Sequence, residues 1–378
     1  MYTLTGLNPQ NGKPIEITVT DGIIHSIAAS RHEDDYWLSA GFVDLQVNGY
    51  CGSDANMDEP DPRAIIALTG KMIEVGVTTY VPTIITASER KIIAALRAIA
   101  MARQSSNLVA GCVPYVHVEG PHISPLEGYR GAHPVEHVRP PDLAEFERWM
   151  QASDGLVGMV TLSPHFEESE EYIRGLSSRG VHVSIGHTHA SAQQIRKAVD
   201  AGARLSTHLG NGIAGMIPRH SNPIWSQLSE DRLAAMLIAD GHHLPADTIK
   251  TMIKAKGINR SILVSDSVAL AGMPAGVYET PVGGKVELHP NGRLSLFGTE
   301  FLAGAVLAQK DGVVRAMAMT GISLGESIRM ATENPGRFAG GVGIMRVGAP
   351  ADLVQFRVES GSSGLRIERI LVRGREWS

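Results

Sequence analysis

Glu119, His187, His208, His243 and Asp266 are side chains that coordinate or titrate, and each ends a short apolar run. The runs are VPYVHVE (113–119), VHVSIGH (181–187), ARLSTH (203–208), AAMLIADGHH (234–243) and SILVSD (261–266). One carboxylate and two imidazoles suit a divalent transition metal, and three protein ligands leave a position open for water. Glu119, His187 and His208 are assigned to one such ion. Zinc comes first, although Fe2+, Mn2+ and Co2+ accept the same donors. Asp266 is assigned as the base that takes a proton from the attacking water and returns it to a leaving amine. The ion makes this feasible at neutral pH, because it lowers the pKa of water from about 16 towards about 7. Alone, each residue has a plainer reading. A histidine at a strand end is ordinarily a hydrogen-bonded structural residue, and Asp266 could equally cap the next helix. Five such residues at matching places decide for a shared site.

That inference needs elements that bring the run ends together. Eight strand-like runs recur at 41–49, 77–86, 113–120, 155–164, 181–187, 203–208, 234–243 and 261–266. Helical stretches such as ERKIIAALRAIAMARQ (89–104) and SAQQIRKAVDAG (191–202) separate several of them. Strands alternating with helices imply a parallel sheet, and eight units in about 250 residues imply a (β/α)8 TIM barrel, α/β in class. The rival, an open doubly wound sheet, carries a Gly-rich phosphate loop after its first strand. DLQVNGYCGSD (44–54) is no such loop. A barrel gathers chemistry at the C-terminal ends of its strands, where all five residues fall. Gly186 is read as leaving room for a loop that turns His187 inward. His117 shares a strand face with Glu119 and either supports a ligand or fills the barrel. His189 is given a solvent or substrate role; His25, His32 and His182 read as structural or surface.

The chain ends differ from its middle. IEITVTDGIIHSIAA (15–29) alternates around Asp21-Gly22, a hairpin signal, and 351–358 and 365–376 read as short strands. A small β-sandwich domain from 1–40 and 345–378 is expected beside a barrel at 41–344. The 378 residues are 43% hydrophobic and 19% charged, with net charge −5. This composition fits a soluble globular protein and gives no footprint for nucleic acid or an anionic membrane. Two cysteines in no C-x-x-C pattern suit a reducing cytoplasm. No signal pattern or membrane-length apolar run is read.

HVEGPHI (117–123), GHTHA (186–190), THLGNG (207–212), ADGHH (239–243) and LVSDSVALAG (263–272) occur in this order. Together they resemble the amidohydrolase superfamily, and within it the N-acetylglucosamine-6-phosphate deacetylases. The resemblance runs from GFVDLQVNG (41–49) to GAPADLV (348–354). It implies a (β/α)8 barrel with a terminal β-sandwich and a homodimer. It implies release of acetate from N-acetylglucosamine-6-phosphate, a small N-acetylated sugar. By position, His133 matches a histidine that polarises the acyl carbonyl and His243 matches a substrate-binding histidine. Asn211 and Gly212 match an Asn-Ala pair on the sugar phosphate, and Arg219 falls near a phosphate-binding arginine. A guanidinium suits that task because its fork of donors fits phosphate oxygens. Many amidohydrolases carry H-x-H on the first strand for a second metal. Here the stretch is Gln46-Val47-Asn48, whose amides are poor metal ligands; one ion is expected, and Gln46 and Asn48 are placed with the substrate. GNGIAGMIPRHSNPIW (210–225) departs from the family around the phosphate, as does His122. Two other readings remain. The same machinery could act on another amide: an unphosphorylated N-acyl sugar, an N-acyl amino acid or a cyclic ureide. A non-catalytic sugar-binding barrel would hold no metal.

Overall fold

The computed structural model describes residues 2–31, 35–280, 284–359 and 364–377. His32 lies outside the described residues. Eight parallel strands form one sheet: β1 (Phe42–Val47), β2 (Val77–Ile85), β3 (Val116–Glu119), β4 (Val157–Leu162), β5 (His182–Ile185), β6 (Leu205–Ser206), β7 (Ala234–Leu237) and β8 (Ser261–Leu263). Each strand pairs with its neighbour in sequence. The chain beyond β8 closes the circle against β1: Asp266 N donates to Gln46 O (3.0 Å) and Asn48 N donates to Ser267 O (2.8 Å). All eight sequence runs therefore become barrel strands, although the paired segments are shorter than the runs.

The connecting helices follow local chemistry. Ser88 caps Glu89–Ser105 by accepting from Lys91 N. Ser191 caps Ala192–Ala201 in a reciprocal pair with Gln194. Such caps satisfy N–H groups that the first turn leaves without partners. The faces of these helices that carry Ile92, Leu96, Ile99, Ile195 and Val199 are buried in the main core. Inside the barrel lies a second core that includes Val43, Leu45, Val81, Met159, Leu205 and Met236.

Both chain ends enter one seven-stranded sheet. Leu353–Val358 pairs antiparallel with Trp37–Ala40, and this joins the C-terminal strands to the N-terminal ones. The turn at Asp21-Gly22 has positive φ at both residues (50° and 79°), as a tight hairpin turn requires. Leu4, Ile17, Val19, Leu38, Leu353 and Leu371 give this sheet its own core. A feature the sequence reading missed follows β8. Gly276–Thr280, Gly284–Leu288 and Leu294–Leu296 form a three-stranded antiparallel sheet with a small core of Leu270, Val286, Leu288 and Leu294. Asn291-Gly292 between two alternating apolar segments was its signal. Among the described residues, no helix is long and apolar enough to cross a membrane.

Candidate active site

The strand ends converge as the barrel demands. Glu119 is the last residue of β3, His187 stands two residues beyond β5, and His208 two beyond β6. Glu119 Oε1 lies 2.9 Å from His208 Nε2 and 3.3 Å from His187 Nε2, and the two Nε2 atoms are 3.2 Å apart. Ligands about 2.0–2.1 Å from a tetrahedral ion stand about 3.4 Å apart, so the donors fit a divalent metal closely. Tyr129 O accepts from His187 Nδ1 at 2.9 Å, which aims Nε2 at the other two donors. Burial opposes charge here, yet hydrogen bonds from both histidines hold Glu119 well below the usual carboxylate range. Burial likewise pulls His208 down, but the bond to Glu119 and its charge raise the ring to about 9.

Backbone geometry turns these side chains inward. His187, His208 and Asp266 all have positive φ (46°, 26° and 49°), a conformation that costs non-glycine residues energy. Gly186 serves packing rather than loop freedom. A Cβ there would come within 2.7 Å of Thr161 Cγ2 and 2.9 Å of Thr207 Cβ. Gly212 (φ +57°) passes over the His187 ring, where a Cβ would meet Nδ1 at 2.5 Å.

Asp266 lines the same cavity, of about 360 Å³, with Asn48, Glu119, His133, His187, His208, Asn211, Gly212 and His243. Burial raises the Asp266 carboxyl to about 6, against the pull of His208. Asn48 Nδ2 donates to Asp266 Oδ1 at 2.8 Å, and Gln46 Nε2 donates to Glu119 Oε2 at 3.1 Å. The two amides thus hold the site's carboxylates, and buried Gln46 does not line the cavity. His133 Nδ1 meets Thr86 Oγ1 at 2.8 Å; burial, then the neighbouring His187, lower the ring to about 3. His243 Nδ1 pairs with Asp240 Oδ2 at 2.6 Å. Asp240 had not been singled out, though its spacing in ADGHH puts it within reach.

Other candidates lie elsewhere. Arg219 and His220 are exposed and do not line the cavity. His189 Nδ1 meets Ser124 Oγ at 2.7 Å, and its ring packs on His165 outside the cavity. His122 is buried between Trp149 and Tyr172. His117 sits inside the barrel between Thr83 and Thr161, and burial lowers it to about 4.

The sequence profile of the amidohydrolase family matches residues 37–376. The chain belongs to the amidohydrolase family. This amidohydrolase is 32% identical over 367 residues to an N-acetylgalactosamine-6-phosphate deacetylase of Escherichia coli O157:H7, covering 95% of this chain and 93% of the relative. It is 32% identical over 354 residues to an N-acetylglucosamine-6-phosphate deacetylase of Bacillus subtilis (strain 168), covering 89% and 87%. The crystal structure of N-acetyl-D-glucosamine-6-phosphate deacetylase from Mycobacterium smegmatis superposes with TM-score 0.86 at 26% identity, over 100% of both chains. A mutant of that enzyme in complex with N-acetyl-D-glucosamine-6-phosphate superposes at 0.83 and 26% identity, over 96% and 94%.

Proposed function

We propose that this amidohydrolase removes the acetyl group from N-acetylglucosamine-6-phosphate, giving glucosamine-6-phosphate and acetate. One observation carries the chemistry: Glu119 Oε1, His187 Nε2 and His208 Nε2 lie 2.9–3.3 Å apart beside Asp266 in one cavity. The 6-phosphate rests on the relatives. Glu119, His187 and His208 would hold one divalent ion. Such an ion supplies Lewis acidity and lowers the pKa of water towards about 7. Asp266, positioned by Asn48, accepts the proton of the attacking water and delivers it to the departing amine. His133 donates to the acyl oxygen and steadies the charge that develops there. Asn211, Gly212 and His243 orient the sugar. The apolar wall that includes Ile213, Ile238, Val268 and Leu270 limits water at the reacting bond. Zinc as the ion, a homodimer and a cytoplasmic setting complete this reading, with 1–40 and 345–378 as the terminal β domain.

Elemental analysis joined to acetate release tests the reading. About one equivalent of metal per chain is expected, with release strongest from N-acetylglucosamine-6-phosphate. Metal-free protein with full activity would refute it. One observation favours a second reading, an unphosphorylated N-acyl amine. Among the described residues, no lysine or arginine lines the cavity, and Arg219 stands outside it. Assays with and without the 6-phosphate separate the two. Loss of phosphate preference in Arg219→Ala supports the phosphorylated substrate, and an unchanged preference counts against Arg219 as its anchor.

A further inference from the structure

We propose that Thr86 is a positioning residue: it fixes His133 in the tautomer with its proton on Nε2, so that the ring presents an N–H to the acyl oxygen. The proposal rests on the reading that His133 faces the acyl group. Thr86 follows the last residue of β2, is 2% exposed, and stands beside the end of β3 that carries Glu119. Its Oγ1 lies 2.8 Å from His133 Nδ1, and no other hydrogen bond reaches that ring among the described residues. A hydroxyl has one proton to give. The alternative acceptor for it, the Glu119 carbonyl, is 3.4 Å away, outside the usual 2.5–3.0 Å for O–H···O bonds. The proton therefore goes to Nδ1. A neutral imidazole carries a single N–H, so a ring accepting at Nδ1 bears it on Nε2.

A second observation is independent of the hydrogen bond. At Gly120 (φ +81°), a Cβ would stand 2.1 Å from Thr86 Oγ1. The glycine in Glu119-Gly120-Pro121 thus clears the space the hydroxyl occupies. The tautomer also assigns His133 its task. A ring nitrogen of His133 lies within 4.8 Å of donor atoms of Glu119 and His187, close enough to suggest a further metal ligand. A protonated Nε2 cannot ligate, so His133 serves the acyl oxygen and leaves the ion to the other three.

The test is the ring tautomer in zinc-loaded protein labelled with 15N-histidine, with His133 assigned by its disappearance in His133→Asn. An Nε2–H signal is expected; an Nδ1–H signal overturns the proposal. Thr86→Val should mix the tautomers and lower kcat about 10- to 100-fold, a fraction of what a lost oxyanion donor costs, with KM within about twofold. Thr86→Ser should restore both. A Thr86→Val enzyme with unchanged kcat and tautomer overturns the proposal. If that variant fails to fold, the wild-type tautomer still decides. Full activity in His133→Asn would sink the acyl-group reading instead and leave the tautomer measurement intact.

Discussion

Replacing Asn48 by leucine separates two roles for that amide. Nearly isosteric leucine removes the donor that holds Asp266 Oδ1 at 2.8 Å. In the proposed mechanism the carboxylate form of Asp266 is the base, so activity should fall as pH drops through its pKa. Burial already places that pKa near 6. A hydrogen bond to a charged group contributes about 1.5–3 kcal/mol. One pKa unit corresponds to about 1.36 kcal/mol, so losing the donor should raise the Asp266 pKa by about one to two units. The acid limb of kcat/KM against pH should move upward by that amount. Activity should fall about 10- to 100-fold on the acid side and little on the alkaline side. A bound ion moves the absolute limb in both proteins, so the shift between them is the quantity to read. Kinetics from acid to alkaline pH measure it. An unmoved limb with a raised KM would refute the reasoning and return Asn48 to the substrate, where the sequence had placed it.

Asp266→Asn should lower kcat by about 10²–10⁴-fold in acetate-release assays while the metal content stays unchanged. Gly212→Ala should weaken metal binding about 10- to 100-fold in equilibrium dialysis, because the new methyl group would press on His187 Nδ1 from 2.5 Å. Asp44, buried on β1, accepts from Ser265 N, and burial raises its carboxyl to about 7. The folded protein therefore keeps this proton where the unfolded chain has lost it. Its stability falls as pH rises from about 4 to about 7 and levels off above. Asp44→Asn should remove that slope and add up to about 4 kcal/mol at pH 8, read from denaturant unfolding.

The barrel was legible because apolar runs and their polar last residues recur locally. Helix starts were legible too, since Ser88 and Ser191 announce them within four residues. What escaped depends on register. Nothing near Gln46 or Asn48 shows that β1 lies between β2 and the chain beyond β8, so their amides looked free for substrate. Gly186 looked like room for a loop because the threonines that crowd it lie far off in sequence, Thr161 on β4 and Thr207 just past β6. Arg219 came from the family resemblance alone, and in the structure it is exposed outside the cavity. The inserted sheet was overlooked after eight strands had been found, despite its Asn-Gly turn.

The closure between β8 and β1 bears on how the enzyme is born. Domains made on the ribosome begin to fold from their N-terminal end. Glu119, His187 and His208, the proposed metal donors, all precede residue 210, whereas Asp266 reaches Asn48 only once the chain beyond β8 lands against the first strand. The pairing of Asp266 with Asn48 thus waits for the last seam of the cylinder.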